Sequence, residues 1–222
     1  EYKFKEGDGP AFILHAETTD KILLFAENGR FYTLSGDKLP RGRGFGEPVS
    51  LMVDLPADVD IVRLLKAEGK RMLVAASTGH GLLVPTEAAL AQTRSGKQVL
   101  NIAGTARAVA CCVAEGDMVA SVGMNRKLLV FPIDEVPEMT RGKGVILQRF
   151  KDGGLADVTV YSAEAGLSWK AGGGRTRTEA DMSDWLGKRA GAGKMPPTGF
   201  PRPARFTSVS YTHLRAHETS SN

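Results

Sequence analysis

The chain is 222 residues long, 42% hydrophobic and mildly basic, with a formal net charge of +4 and a pI of about 9.1. Its two cysteines, Cys111 and Cys112, are adjacent, which excludes a disulfide framework. No apolar run approaches the roughly eighteen residues of a membrane helix and no secretory leader opens the sequence, so a single all-β domain in the cytosol is the expectation.

In chain order, the opening Phe4-Lys5-Glu6-Gly7-Asp8 matches Phe150-Lys151-Asp152-Gly153-Gly154 further on, so the chain is expected to start inside a repeat, with its first blade truncated upstream. Lys21 to Leu34 reads as two apolar strands around an Asn28-Gly29 turn, a strong hairpin signal. The same shape recurs over Arg71 to Val84 and Asp117 to Phe131, and more weakly over Gly166 to Arg177. Each hairpin is followed by a Gly-x-x-[Val/Pro] box, at Gly46–Val49, Gly96–Val99, Gly142–Val145 and Gly193–Pro196. A third strand is predicted after the first three boxes, at 49–54, 99–102 and 145–150, and a fourth at 60–65, 106–110 and 156–161. Four short strands in each unit of about 45–50 residues is the arithmetic of a β-propeller blade.

The last segment, 207–222, has no counterpart in the repeats and reads as an adaptor-derived or vector-derived tail, leaving residues 1–206 as the domain. His213 and His217 in that tail have zinc-like spacing but no cysteine or acidic partners nearby in sequence, so no metal site is assigned. No phosphate-binding loop, nucleophile elbow or zinc-protease motif appears, and no catalytic residue is assigned.

A basic, glycine-rich loop recurs beside the box of every unit: Arg41-Gly42-Arg43-Gly44, Arg94-Ser95-Gly96-Lys97, Arg141-Gly142-Lys143-Gly144, and Lys188-Arg189 through Lys194. Lys and Arg neutralise phosphates, and glycine lets backbone amides approach them without demanding a particular base. Glycine with a cation is also what any exposed turn between strands looks like. Equal phase in related blades would put these loops on one rim, where duplex DNA could bend. Phe25, Phe31, Phe131 and Phe150 follow the strand pattern and are expected in the core rather than stacked on bases.

The segments Thr19–Leu34, Asp37–Pro40, Gly44–Pro48, Leu73–Ser77, Asn125–Pro132 and Pro137–Gly154 closely resemble the C-terminal domain of the topoisomerase IV A-subunit family, in its α-proteobacterial form. The resemblance runs from about Glu1 to Phe206. It implies a β-pinwheel, a propeller-like disc whose blades exchange strands, bending DNA on its rim and presenting it to a catalytic core for decatenation and relaxation. The parent enzyme would be an A-subunit homodimer with an ATPase B subunit, cytoplasmic and nucleoid-associated, acting in chromosome segregation with Mg²⁺ and ATP. No cofactor and no part of that chemistry is expected in this chain. Carried over by position, the phosphate contacts are Arg41, Arg43, Arg94, Lys97, Arg141 and Lys143, with Arg30, Lys127 and Arg175 after the hairpin turns. The related gyrase A protein carries a glycine-arginine box with no copy here. A gyrase-type wrapping domain and a protein-interaction scaffold remain the alternatives.

Overall fold

A computed structural model of the chain describes residues 14, 16–39 and 48–206. Within them every regular element is a β-strand or a short 3-10 turn. The first sheet holds the hairpin β1 (Lys21–Ala26) and β2 (Arg30–Ser35) with β3 (Ile61–Lys66) on the far side of β1. The second repeats it with β4 (Arg71–Ala76), β5 (His80–Pro85) and β7 (Ala108–Val113). The third is built from β8 (Met118–Gly123), β9 (Leu128–Pro132) and β11 (Leu155–Tyr161), and a fourth hairpin pairs β12 (Leu167–Lys170) with β13 (Thr176–Glu179). All pairings between named strands are antiparallel.

The remaining strand of each of the first two sheets comes from the next unit. β6 (Lys97–Gln98) follows the second hairpin, yet it pairs with Arg30 and Phe31 of β2. In the same way β10 (Val145–Ile146) pairs with His80 and Gly81 of β5, and Lys194 bridges to Leu128 at the start of β9. The third strands are therefore two residues long where longer ones were expected, and Val49–Leu51 forms a 3-10 turn instead of a strand.

Glycine makes the exchange possible. Gly96, Gly144 and Gly193 each have φ between +73° and +78°, a region that L side chains rarely adopt. A Cβ on Gly96 would stand 2.7 Å from the Phe31 carbonyl, and one on Gly193 would stand 2.7 Å from that of Leu128; on Gly144 it would overlap the Gly81 carbonyl. These three contacts fix the phase of the repeat. They align Gly144, not Gly142, with Gly96, so the box of the third unit lies two residues later than the sequence pattern places it.

The unbroken apolar runs of β1, β4 and β8 follow from burial on both faces. Met72, Val74 and Ala76 of β4 pack with Leu23, Phe25 and Phe31 of the first sheet, while Leu73 and Ala75 pack with Val119, Leu129 and Phe131 of the third. Ala120, Val122, Leu128 and Val130 then meet Leu167, Trp169, Phe200 and Phe206. The sheets are thus stacked face to face in chain order, as propeller blades are. Phe25 and Phe31 stack at 4.6 Å between centroids, and Phe25, Phe31 and Phe131 have no solvent exposure, as expected of core residues. Cys111 lies in the layer between the first two sheets and Cys112 beside the layer after it; burial pushes the Cys111 thiol far up and that of Cys112 up to about 12, so both stay protonated. Among the described residues no helix is long and apolar enough to cross a membrane.

Candidate nucleic-acid interface

The hairpin turns and the exchanged strands lie along one edge of the stacked sheets. The turn amide bonds repeat from blade to blade: Gly29 N to Ala26 O, Gly79 N to Ala76 O and Arg126 N to Gly123 O, each 2.9 Å. Asn28 Oδ1 accepts from Arg30 N, and Asn125 Oδ1 from Lys127 N, closing the turns locally. Arg30, His80 and Lys127 therefore occupy one equivalent position, the first residue after each turn.

The expected phosphate contacts fare differently on this edge. Arg41 and Arg43 lie outside the described residues, as do His213 and His217. Arg30 is half-buried, and its guanidinium donates to Ser95 O (3.0 Å), Gly96 O (3.1 Å) and Gln98 Oε1 (3.4 Å), so it clamps the exchanged strand to the first blade. Arg94 is exposed but tied down, donating to Leu51 O at 2.9 Å and to Asp54 Oδ1 at 3.3 Å. Lys97 Nζ donates to Ala88 O at 2.6 Å, and Arg141 Nε to Asn101 Oδ1 at 3.3 Å; both are exposed. Lys127 and Lys143 are exposed, with no side-chain hydrogen bond or ion pair among the described residues. Arg175 is exposed in the turn of the fourth hairpin, remote in sequence from the exchange loops.

Sequence reasoning passed over three cations of this neighbourhood, Arg107, Arg149 and Arg126, and placed Arg189 only in the fourth basic loop. Arg107, on the turn edge of the second blade, pairs with Glu27 of the first at 3.7 Å. Arg149 is exposed just after the exchanged strand of the third unit. Arg126 takes the turn position that glycine holds in the first two hairpins, at φ +69°, and its guanidinium donates to Phe200 O and Pro201 O. Arg189 donates to Ile146 O at 2.8 Å. The last two are latches between units, and only contacts some 40 to 75 residues away in sequence reveal it.

The opposite edge has a different electrostatic character. There Lys66 lies between Glu68 (2.9 Å) and Asp20 (3.7 Å), Lys70 pairs with Glu115 and Glu68, and Arg71 pairs with Glu138 at 3.3 Å. Hydrogen bonding to Glu68 raises the ammonium pKa of Lys66, and hydrogen bonding to Glu115 raises that of Lys70. On the turn edge only Arg94 and Arg107 meet a carboxylate in this way; Lys97, Lys127, Arg141, Lys143 and Arg149 have none within 4.0 Å among the described residues. No cluster of potential metal ligands occurs among the described residues.

Comparison with known proteins agrees with this architecture. The family model described as "DNA gyrase C-terminal domain, beta-propeller" matches residues 20–67 and 117–157. The chain is 48% identical over 207 residues to the DNA topoisomerase 4 A protein of Caulobacter vibrioides, covering 93% of this chain and 27% of that protein. It is 46% identical over 206 residues to its counterpart in Rickettsia bellii, covering 92% and 28%. The chain thus spans about a quarter of the length of the curated relatives it matches. In three dimensions it superposes on the Escherichia coli ParC C-terminal domain with a TM-score of 0.71 at 22% identity, covering 82% of this chain and 79% of the other. On a DNA gyrase A C-terminal domain the TM-score is 0.59 at 14% identity, covering 81% and 60%. Exchanged strands, sheets stacked face to face and a match to topoisomerase 4 A proteins over 93% of its length place the chain in the gyrase A and topoisomerase IV A C-terminal β-propeller family.

Proposed function

We propose that this domain binds duplex DNA through its phosphate backbone along the turn edge and bends it there, without reading base sequence. The observation that carries the reading is the contrast between the two edges. Lys66, Lys70 and Arg71 on the opposite edge are matched by carboxylates, although Lys21 there meets the Ser35 hydroxyl, whereas Lys97, Lys127, Arg141 and Lys143 on the turn edge meet only neutral groups or solvent. Uncompensated cations gain most from a phosphate, because they have no carboxylate to leave and they release condensed counterions from the DNA. Successive blades offer these cations on one edge, so DNA that follows them curves. The names of the relatives support the same reading, and with them the proposal extends to the parent protein: an A-subunit homodimer joined by an ATP-hydrolysing B subunit in the cytoplasm, in which this domain presents a DNA segment for decatenation and relaxation. Residues 1–206 form the binding unit in this proposal, and Arg41 and Arg43 belong to the set to be tested.

The test is duplex-DNA affinity over a salt series, for the wild type and for a variant with Arg41, Arg43, Arg94, Lys97, Arg141 and Lys143 changed to alanine. Each phosphate contact contributes about −0.9 to the slope of log K against log salt. The expected result is a steep wild-type slope that flattens in the variant, with circular dichroism unchanged. Equal affinity and slope for the two proteins would refute the residue assignment. A flat response together with a tight protein partner would favour the interaction scaffold.

A further inference from the structure

The bond between Arg94 and Asp54 has an equivalent one unit later. Arg94 Nε donates to Asp54 Oδ1 at 3.3 Å, and Arg141 Nε donates to Asn101 Oδ1, also at 3.3 Å; each pair is separated by 40 residues. The backbone beside them repeats as well, with Asp54 N bonded to Arg94 O and Asn101 N bonded to Gly142 O, both at 2.8 Å. In the third unit Arg149 N bonds to Gly191 O at 3.0 Å, so Arg149 takes the place of Asp54 and Asn101. The loop cation there, Arg189, turns to Ile146 O instead. From seam to seam, the residue at this position runs from anionic through neutral to cationic.

The neighbouring charges follow the same order. At the first seam, Arg107 also meets a carboxylate, that of Glu27. At the second, Lys143 stands close enough to His80 to help hold its imidazole pKa down, second to burial, and no carboxylate answers either Arg141 or Lys143 among the described residues.

We infer that the DNA backbone is seated at the second and third seams, by Arg141, Lys143 and Arg149, while the first seam is electrostatically closed by Asp54 and Glu27. This rests on the proposed DNA-binding reading and adds a direction to it: the second and third seams grip the duplex more firmly than the first, where Arg94 is matched by Asp54 though Lys97 is not. A guanidinium already neutralised by a carboxylate must lose that partner before it gains a phosphate, whereas one bonded to an amide oxygen keeps its whole charge available.

Two single substitutions exchange the seams while keeping an oxygen acceptor for each arginine. Asp54→Asn gives the first seam the chemistry of the second, and Asn101→Asp does the reverse. Binding of the full chain to a short duplex of random sequence is followed over a salt series. Asp54→Asn is expected to tighten binding and steepen the slope by about one contact, and Asn101→Asp to weaken and flatten it by as much. One contact is about 3.5-fold in affinity across a fourfold change in salt. If both variants fold and bind as the wild type does, or change in the reverse sense, the seam assignment is overturned. Should Asn101→Asp fail to fold, Asp54→Asn decides alone. A wild type without salt-dependent binding would overturn the DNA reading itself, and the seam assignment with it; a steep wild-type slope that neither variant alters sinks only the latter.

Discussion

Replacing Asp157 with asparagine should remove the part of the domain's pH dependence that this carboxyl carries. Asp157 lies at the bulge where the pairing of β11 with β8 shifts register. Its Oδ1 accepts from Val158 N at 2.9 Å and its Oδ2 from Phe206 N at 2.8 Å, so it tethers the segment that brings Phe200 and Phe206 into the core. Burial dominates its titration and, although both amides, Arg63 and Arg205 oppose it, lifts the carboxyl from 3.8 to about 6. That rise corresponds to about 3 kcal/mol. The folded pKa lies above the unfolded value, so the stabilising protonation is complete below 3.8 and is lost as pH climbs through 6; at pH about 8 the fold carries the whole cost. A neutral amide escapes that cost, but its single oxygen can accept from only one of Val158 N and Phe206 N, which costs about 1–3 kcal/mol at every pH. Thermal melts should therefore show the melting temperature of Asp157→Asn, relative to the wild type, rising by about 6–12 °C as pH goes from about 4 to about 8. A difference between the two melting temperatures that does not change with pH would refute the reasoning.

Two further outcomes follow from the geometry. Gly144→Ala, which puts a Cβ into the Gly81 carbonyl at φ +76°, should cost at least about 1–3 kcal/mol in chemical denaturation, whereas alanine at Gly104, which has open space around it, should cost less despite its φ of +63°. His80 is half-buried, hydrogen-bonded through Nδ1 to Thr78 Oγ1, and held below 6.5 first by burial and then by Lys143, so it is neutral at pH 7. Acidification well below pH 6.5 adds a cation at the second seam, and DNA affinity should rise more for the wild type than for His80→Gln; an equal rise in both would show that the histidine plays no part.

The hairpins were legible because their signals are local. Asn28-Gly29 and Thr78-Gly79 end apolar strands at fixed points, and β1–β2 and β4–β5 form over those spans. Exchange between sheets was legible only through the family resemblance, since the partners of Lys97 and Gln98, Phe31 and Arg30, are more than sixty residues away. The third box was misaligned for the same reason. Gly142 and Gly144 both precede Val145, and only the carbonyl of Gly81 on a neighbouring blade distinguishes them. At the candidate interface the sequence shows where charge recurs but not whether it is occupied. Arg30 and Lys127 look alike as residues after a turn, yet one clamps Ser95, Gly96 and Gln98 while the other projects into solvent.

The exchanged strands also separate the unit of heredity from the unit of folding. A duplication of about 45–50 residues copies a hairpin together with the strand that completes its predecessor, so neither four-stranded sheet corresponds to one stretch of chain. Excising residues 71–113 would remove β4, β5 and β7 and would also strip the first sheet of β6 and leave β10 without its host. Deletion or grafting of a blade in this domain must therefore provide for two units at once, the hairpin's own and the following one that donates its last strand.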